Sequence, residues 1–538
     1  MMLPPISKRT AIAAFILILL AQVSVICYWG SKKIGFHMDE IFTYSISNGS
    51  WNWISSDVWM TKRQILDSLT VQADERFNFL HVIANHSKDV HPPFYYLVFH
   101  FVCSLVPDVF TKWSGIAVNI FFFVLTQLTV FLISSKLTQN KALALLPCLF
   151  YGFSIGAHTT AMMVRMYMAL TFFCTMAFYL HVILVKKIEE QKDLGYRELA
   201  VIFVTYFFGI MTHYYFIVFG FFASIFFLIF LLIRKYYKFV IAYICIVGSS
   251  IPMTILCYPA MIKHIFKGYR GKEAIKNAFA EQTFDRFSAF YDIINHDLLV
   301  SLFIFIFALY FAYKVFSNFI TINIKKENNI HRITMSISYR DINIEYKLTS
   351  HLISIVFAVF CSLFFFCVIS KIAAYKANRY IVCIYPLICI YTVFISVYIF
   401  KCINYKMHFI AAVTLVCISL SCTHMESDAG WLFRDQRAFI NLVKKYDNSK
   451  FIVIHHSKKR WHCWSLGHCF ALADNIYITD ENKHQKINIE EQQGILCIDK
   501  DISEKNSIRQ VLEKDASKKI CSFAFFDVYE LHSVVNRF

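Results

Sequence analysis

Long apolar runs broken by short polar segments fill the chain up to about residue 422 and then stop. Runs of about 20 apolar residues, the length that crosses a bilayer as a helix, lie near 11–30, 114–135, 142–160, 166–185, 198–215, 216–233, 239–260, 298–318, 350–371, 380–400 and 407–422. The pattern therefore predicts about eleven transmembrane helices. A further run, Phe94–Val106, is too short for an upright span and predicts a helix lying against the membrane surface. From 423 onward the periodicity changes. A helical pattern over Asp435–Lys445 is followed by strand-like runs at Phe451–Ile454, Asn475–Ile478, Gly494–Ile498 and Ser522–Phe526. The expected fold class is a polytopic α-helical membrane protein with an external C-terminal α/β domain. Residues 1–422 form the membrane domain, 31–113 its large first external loop, and 423–538 the soluble domain.

Composition sharpens this. The chain is 57% hydrophobic and 17% charged, which excludes an ordinary soluble enzyme, and Gly 15 with Pro 9 excludes a linker-dominated or collagen-like chain. The net charge of +17 sits in short basic clusters beside apolar runs, so it reads as a topology signal and an attraction to lipid head groups; no nucleic-acid partner is implied. Lys8 and Arg9 precede the first run and read as the cytoplasmic flank of an uncleaved anchor. Clusters at Lys136/Lys141, Lys186/Lys187/Lys192/Arg197, Arg234/Lys235/Lys238, Lys325/Lys326/Arg332 and Lys401/Lys406 are then all cytoplasmic, provided that Phe94–Val106 does not cross. Most of the 17 cysteines fall in apolar runs as small hydrophobes; those from Cys422 onward leave room for one or two disulfides, or for a metal on His462, Cys463, His468 and Cys469. No P-loop and no strand-anchored GxGxxG occurs, so nucleotide chemistry is unsupported.

This topology sends five polar clusters to one face. His37-Met38-Asp39-Glu40 follows the first span, where a desolvated carboxylate would have its pKa raised toward that of a useful base; the plainer reading makes Asp39 a helix cap. His91-Pro92-Pro93-Phe94-Tyr95-Tyr96 ends the first loop, and its prolines suit a helix start. Arg165-Met166-Tyr167 sets a guanidinium at the head of a span, against the charge bias, with phosphate its natural bidentate partner. Thr212-His213-Tyr214-Tyr215 and Asn378-Arg379-Tyr380 complete the set, with an interfacial aromatic belt as the simpler account of the former.

Taken in order, these motifs resemble the multi-span GT-C glycosyltransferases, in particular the branch with protein mannosyltransferases and the lipid A aminoarabinose transferase. The resemblance covers residues 9–422; the tail is similar to the family's variable C-terminal domain only in position and α/β character. It implies an inverting transfer of a hexose or pentose from a polyprenyl-phosphate-linked donor to a cell-envelope glycan, lipid or protein acceptor, at the external face of a bacterial cytoplasmic membrane. Asp39 matches the family's catalytic carboxylate, with Glu40 beside it as orienter or acceptor contact. His91, Arg165, Tyr167, His213, Tyr214, Arg379 and Tyr380 are the expected substrate-binding residues, with Tyr215 also stacking on donor. Where the aminoarabinose transferase has Lys-Pro-Pro this chain has His91-Pro92-Pro93, so a phosphate-binding lysine is missing. A divalent metal on Asp39, Glu40 and His37 or His91 is left open. Two other classes fit many spans and few charges. A secondary transporter or lipid flippase would place its polar groups near the midplane, often in repeated halves, and a scaffold would tolerate any change at Asp39.

Overall fold

The computed structural model describes residues 6–50, 54–138, 140–281, 283–298, 320–327, 330–337, 350–402, 431–445, 450–483, 494–514 and 519–531. Among these, six helices are long and apolar enough to cross a membrane, or seven if one bent pair counts as a single span. The six are α1 (Lys8–Lys32), α6 (Lys112–Leu137), α10 (Tyr167–Glu189), α12 (Tyr215–Ile233), the α13–α14 pair (Tyr237–Gly248 and Ser250–Cys257) and α18 (Ser350–Ile372). In the bent pair, α7 (Lys141–Ala144) and α8 (Leu146–Gly152) meet α9 (Ile155–Met162) at 55°. The runs at 198–215 and 380–400 give shorter apolar helices. These are α11 (Tyr196–Thr212) and α19 (Tyr385–Cys402), the latter reached through 3₁₀ turns at Asn378–Tyr380 and Val382–Ile384. The remaining two expected spans, 298–318 and 407–422, lie outside the described residues. α10 is the most enclosed of the spans and packs on α6, α11 and α12.

The first loop holds α2 (Met38–Asn48), β1 (Trp59–Thr61), α3 (Lys62–Asp67), α4 (Phe79–His86) and α5 (Phe94–Leu105). At about 1.5 Å per residue, the 12 residues of α5 reach only about 18 Å, short of the roughly 30 Å hydrocarbon core. Beyond α14 come α15 (Ala260–Phe266), α16 (Tyr269–Ala278) and α17 (Thr283–Leu298), followed by an antiparallel hairpin of β2 (Ile320–Glu327) and β3 (Ile330–Ile337) that the apolar pattern does not announce.

The tail contains α20 (Arg437–Lys445), β4 (Lys450–His455), α21 (Gly467–Phe470), β5 (Asn475–Asp480), β6 (Gly494–Asp499), α22 (Asn506–Lys514), β7 (Lys519–Phe523) and β8 (Phe526–Leu531). Its sheet runs β1-β5-β4-β6-β8-β7, with β4 parallel to both β5 and β6. β4 and β6 are continuous apolar runs because both faces are covered. Phe451, Val453 and Cys497 join the core shared with the membrane domain, while Ile452, Ile454, Leu496 and Ile498 pack with Ile502 and Ile508. Two expectations are corrected here. The edge strand β1 comes from the first loop, so the sheet is not confined to 423–538. The expected strand Ser522–Phe526 is instead the turn of the β7–β8 hairpin, which reverses at Ala524 with a left-handed φ of 47°; the unbroken apolar run hides that reversal. Cys463, Cys469, Cys497 and Cys521 are free thiols.

Candidate active site

The site is built on the N-terminus of α2. His37 caps it: its Nδ1 accepts from the Asp39 backbone N–H (3.1 Å), and its own N–H donates to Glu40 Oε2 (2.7 Å). This capping box satisfies two of the free N–H groups of the first turn. The cap is therefore His37, not Asp39, and the two neighbouring carboxylates are left facing different ways.

Glu40 turns inward, fully buried against Lys33 at 2.5 Å. Glu40 Oε1 also accepts from Val164 N–H (2.8 Å), Lys33 Nζ donates to Met162 O (2.9 Å), and Asn119 Nδ2 donates to Ala161 O and Met163 O. Together they satisfy the backbone where the chain breaks between α9 and α10. Gly115 of α6 lies so close to Val164 that an added Cβ would overlap it, which fixes this break against α6. Arg165 follows at once. Its guanidinium donates to Asp39 O (3.3 Å) and Thr43 Oγ1 (3.2 Å) and lies over the Tyr96 ring. The expectation that Glu40 contacts acceptor or orients Asp39 is not what the geometry gives, since both its oxygens are engaged on the buried side and it does not line the cavity.

Asp39 turns the other way. Its Oδ2 accepts from Arg379 Nη1 at 2.8 Å, and the Asn378–Tyr380 turn carrying Arg379 is steadied by Asn378 Nδ2, which reaches Thr159 Oγ1 and Asp297 Oδ2. Burial opposes ionisation of Asp39, but the guanidinium groups of Arg165 and Arg379 outweigh it and hold the carboxyl below the usual carboxylate range. The sequence reading expected the reverse, because it had no means of placing Arg379 beside Asp39. Arg165 Nε and Arg379 Nε are buried N–H donors without a hydrogen-bond acceptor among the described residues.

Asp39, His91, Arg165, Tyr167, His213, Tyr214, Tyr215 and Tyr380 all line one cavity of about 730 Å³. Arg379 stands behind Asp39 and, while bonded to its carboxylate, is not part of the wall. His91 Nδ1 pairs with Asp89 Oδ2 (2.8 Å); burial pushes its pKa below the ordinary value, against the pull of that carboxylate. His213 Nδ1 accepts from the Tyr215 N–H and so caps α12, and burial keeps its ring neutral-leaning as well. Tyr380 meets Tyr167 and Tyr215 edge-on.

The sequence reading missed Asp89, His264, Tyr269, Arg270, Tyr375, Trp461 and Trp464, which also line the cavity. Tyr269-Arg270 repeats the cation-beside-tyrosine pattern of Arg379-Tyr380, the one signal that could have exposed it. Arg270 lies between the rings of Tyr269 and Tyr375 and pairs with Glu273 (2.7 Å). For a metal, Asp39, Glu40 and His37 or His91 do not fit as a set, because both Glu40 oxygens are taken by Lys33, Val164 and His37 on the side away from the cavity. Among the described residues, the group whose ligand atoms converge is His462, Asp499 and Asp501 in the tail, with Asp501 paired to Lys459 at 2.7 Å. The cysteines expected beside His462 are not part of it.

Bundle and cavity together are those of a polytopic membrane protein whose polar residues collect at one end of its helices. Solved structures share that fold: ArnT from Cupriavidus metallidurans bound to undecaprenyl phosphate aligns with a TM-score of 0.52 at 9% identity, covering 97% of this chain and 98% of that one. The same protein in the apo state gives a TM-score of 0.50 at 10% identity, with 97% and 98% covered. The likeness in fold extends through the C-terminal tail as well as the membrane domain. No protein-family model matches the chain, and no curated protein matches it in sequence.

Proposed function

We propose that this protein is an integral membrane glycosyltransferase that moves a sugar from a polyprenyl-phosphate-linked donor to an acceptor hydroxyl of a cell-envelope glycan, lipid or protein. The reading places its active site on the external face of a bacterial cytoplasmic membrane. The observation that carries it is a partly buried Asp39–Arg379 pair beside buried Arg165, with an Nε–H of each arginine lacking an acceptor among the described residues, at a cavity walled partly by apolar side chains. Such a site suits a ligand with an anionic head and an apolar tail. The solved ArnT bound to undecaprenyl phosphate agrees with this class of donor.

The chemistry follows from the pairings. Donor phosphate competes with Asp39 for the guanidinium groups, and as they turn to phosphate the carboxylate loses the cations that depress its pKa and becomes a stronger base. Asp39 then takes the acceptor proton while the acceptor oxygen bonds the anomeric carbon. The bond from that carbon to phosphate oxygen breaks from the opposite side, and the arginines stabilise the departing polyprenyl phosphate. One displacement inverts the anomeric centre. His91 and the tyrosines 167, 214 and 380 position the sugar, and Ile217, Val218, Ile275 and Ile372 offer aliphatic surface to the prenyl chain.

Binding of undecaprenyl phosphate to the purified protein tests the reading. Wild type should bind it, and Arg165→Lys should bind more weakly because a point charge replaces a planar fork. Equal binding by wild type, Arg165→Lys and Arg165→Ala would remove the phosphate role.

A further inference from the structure

Resting on the glycosyltransferase reading, we propose that Trp461 and Trp464 form the acceptor subsite and that the acceptor group is a hydroxyl of a neutral sugar ring, held face-on by indole. Both residues belong to the 3₁₀ segment Arg460–Leu466 of the tail, yet both line the cavity that contains Asp39. Trp464 stacks on Phe42, with ring centroids 4.7 Å apart and planes 19° from parallel. Phe42 lies three residues after Asp39 on α2, so this stack sits one helical turn from the base on the same face.

Trp461 is a wall that the fold holds open. Its side chain remains 39% exposed although it borders a cavity. Its ring meets His462 and Phe525 edge-on, and His462 in turn stacks flat on Phe525 (4.1 Å, 5°) and donates from Nδ1 to Oδ2 of buried Asp499 at 2.7 Å. Arg460 anchors the segment to the first loop by donating to Ile54 O, and Cys463 and Leu466 are buried beneath it. The indole is therefore fixed in advance, which lowers the ordering cost of binding.

The two tryptophans are the only residues of the tail that line the cavity among those described, so the tail brings aromatic surface and no ionised group. That favours the C–H face of a neutral sugar over a charged lipid head group. A peptide would need backbone hydrogen-bond partners, which two indoles supply poorly. The aliphatic wall comes from other elements, α12, α16 and α18, which leaves the tail side free for the acceptor.

The test uses the full chain in nanodiscs, with methyl glycosides of glucose, galactose, mannose and N-acetylglucosamine as probes in saturation-transfer NMR, a capped Ser/Thr pentapeptide as the competing class, and undecaprenyl phosphate binding measured in parallel. At least one glycoside should bind. Its affinity should fall roughly 3- to 10-fold in Trp461→Ala and in Trp464→Ala, in line with the worth of an aromatic contact, and recover in part in the Trp→Phe variants, with undecaprenyl phosphate affinity unchanged throughout. Equal glycoside binding by wild type and both alanine variants, binding of the peptide alone, or binding of no glycoside would overturn the assignment. Failure of wild type to bind undecaprenyl phosphate would instead overturn the donor reading beneath it.

Discussion

Replacing Glu40 by Gln removes one charge from a pair in which both side chains are fully buried, and it leaves the Lys33 ammonium facing a neutral amide. Two estimates bound the cost. Breaking a buried ion pair by removing one partner typically destabilises by about 3–5 kcal/mol. Alternatively Lys33 sheds its proton, which at pH 7 costs about 4.6 kcal/mol from a reference pKa of roughly 10.4 at 1.36 kcal/mol per unit. The two agree, and either is a large part of the roughly 5–15 kcal/mol that holds a typical domain folded. Glu40→Gln should therefore lower the midpoint for loss of the monodisperse peak in heated detergent extracts, and disturb Arg165 through the Val164 contact. A Lys33→Met/Glu40→Gln double variant should recover part of the midpoint, since it removes the orphaned charge and the glutamine carbonyl still accepts from Val164, while its NH2 group cannot accept from the His37 N–H and that half of the capping box is lost. Wild-type thermal stability in Glu40→Gln together with abolished transfer would refute this reasoning and return Glu40 to the chemistry.

Asp39→Asn should act mainly on the chemistry, reducing transfer about 10²- to 10⁴-fold as expected for a lost general base, while the melting midpoint falls by less than in Glu40→Gln, because Asp39 keeps 24% of its side chain exposed and the amide oxygen can still accept from Arg379; a rate above about half of wild type sinks the assignment. His86 stacks on Tyr96 with both ring nitrogens lacking partners among the described residues, and burial pushes its pKa down to about 3. The unfolded chain then takes up a proton below pH 6.5 that the folded chain refuses, so stability falls as pH drops from 6.5 toward 3, by about 2 kcal/mol between pH 7 and 5. His86→Phe should flatten that limb in pH-dependent unfolding, and an unchanged slope would show that the ring is not its source. Single cysteines at Leu80, Phe279 and Glu504, all well exposed, should react with an impermeant reagent in intact cells while one at Lys192 is spared; labelling of 192 or protection of 504 inverts the topology.

The spans were legible because bilayer thickness imposes a length on apolar runs, and eight of the site's cavity-lining residues were legible because cations and tyrosines at span heads resist any lipid-facing account. Other features were hidden for definite reasons. Adjacent residues on a helix point about 100° apart, so Asp39 and Glu40 had to part, but only the α9–α10 break decides which one turns inward. The depressed pKa of Asp39 depends on Arg165 and Arg379, 126 and 340 residues away. Trp461 and Trp464 lie in the tail that the sequence sets apart as a separate domain, and nothing in their neighbourhood reports Phe42. Arg270 sits in a segment that carries no landmark span.

The pairing of β1 with β5 also orders events in time. Trp59–Thr61 leaves the ribosome 414 residues before Asn475, its partner in the register. At roughly 5–20 residues per second that is a wait of about 20–80 s, during which the strand has no neighbour. The segment that delivers both tryptophans to the cavity arrives in the same late stretch of chain. The wall of the cavity is thus incomplete until almost all of the chain has been translated, and a truncated protein keeps an unpaired strand edge of the kind that chaperones and proteases meet.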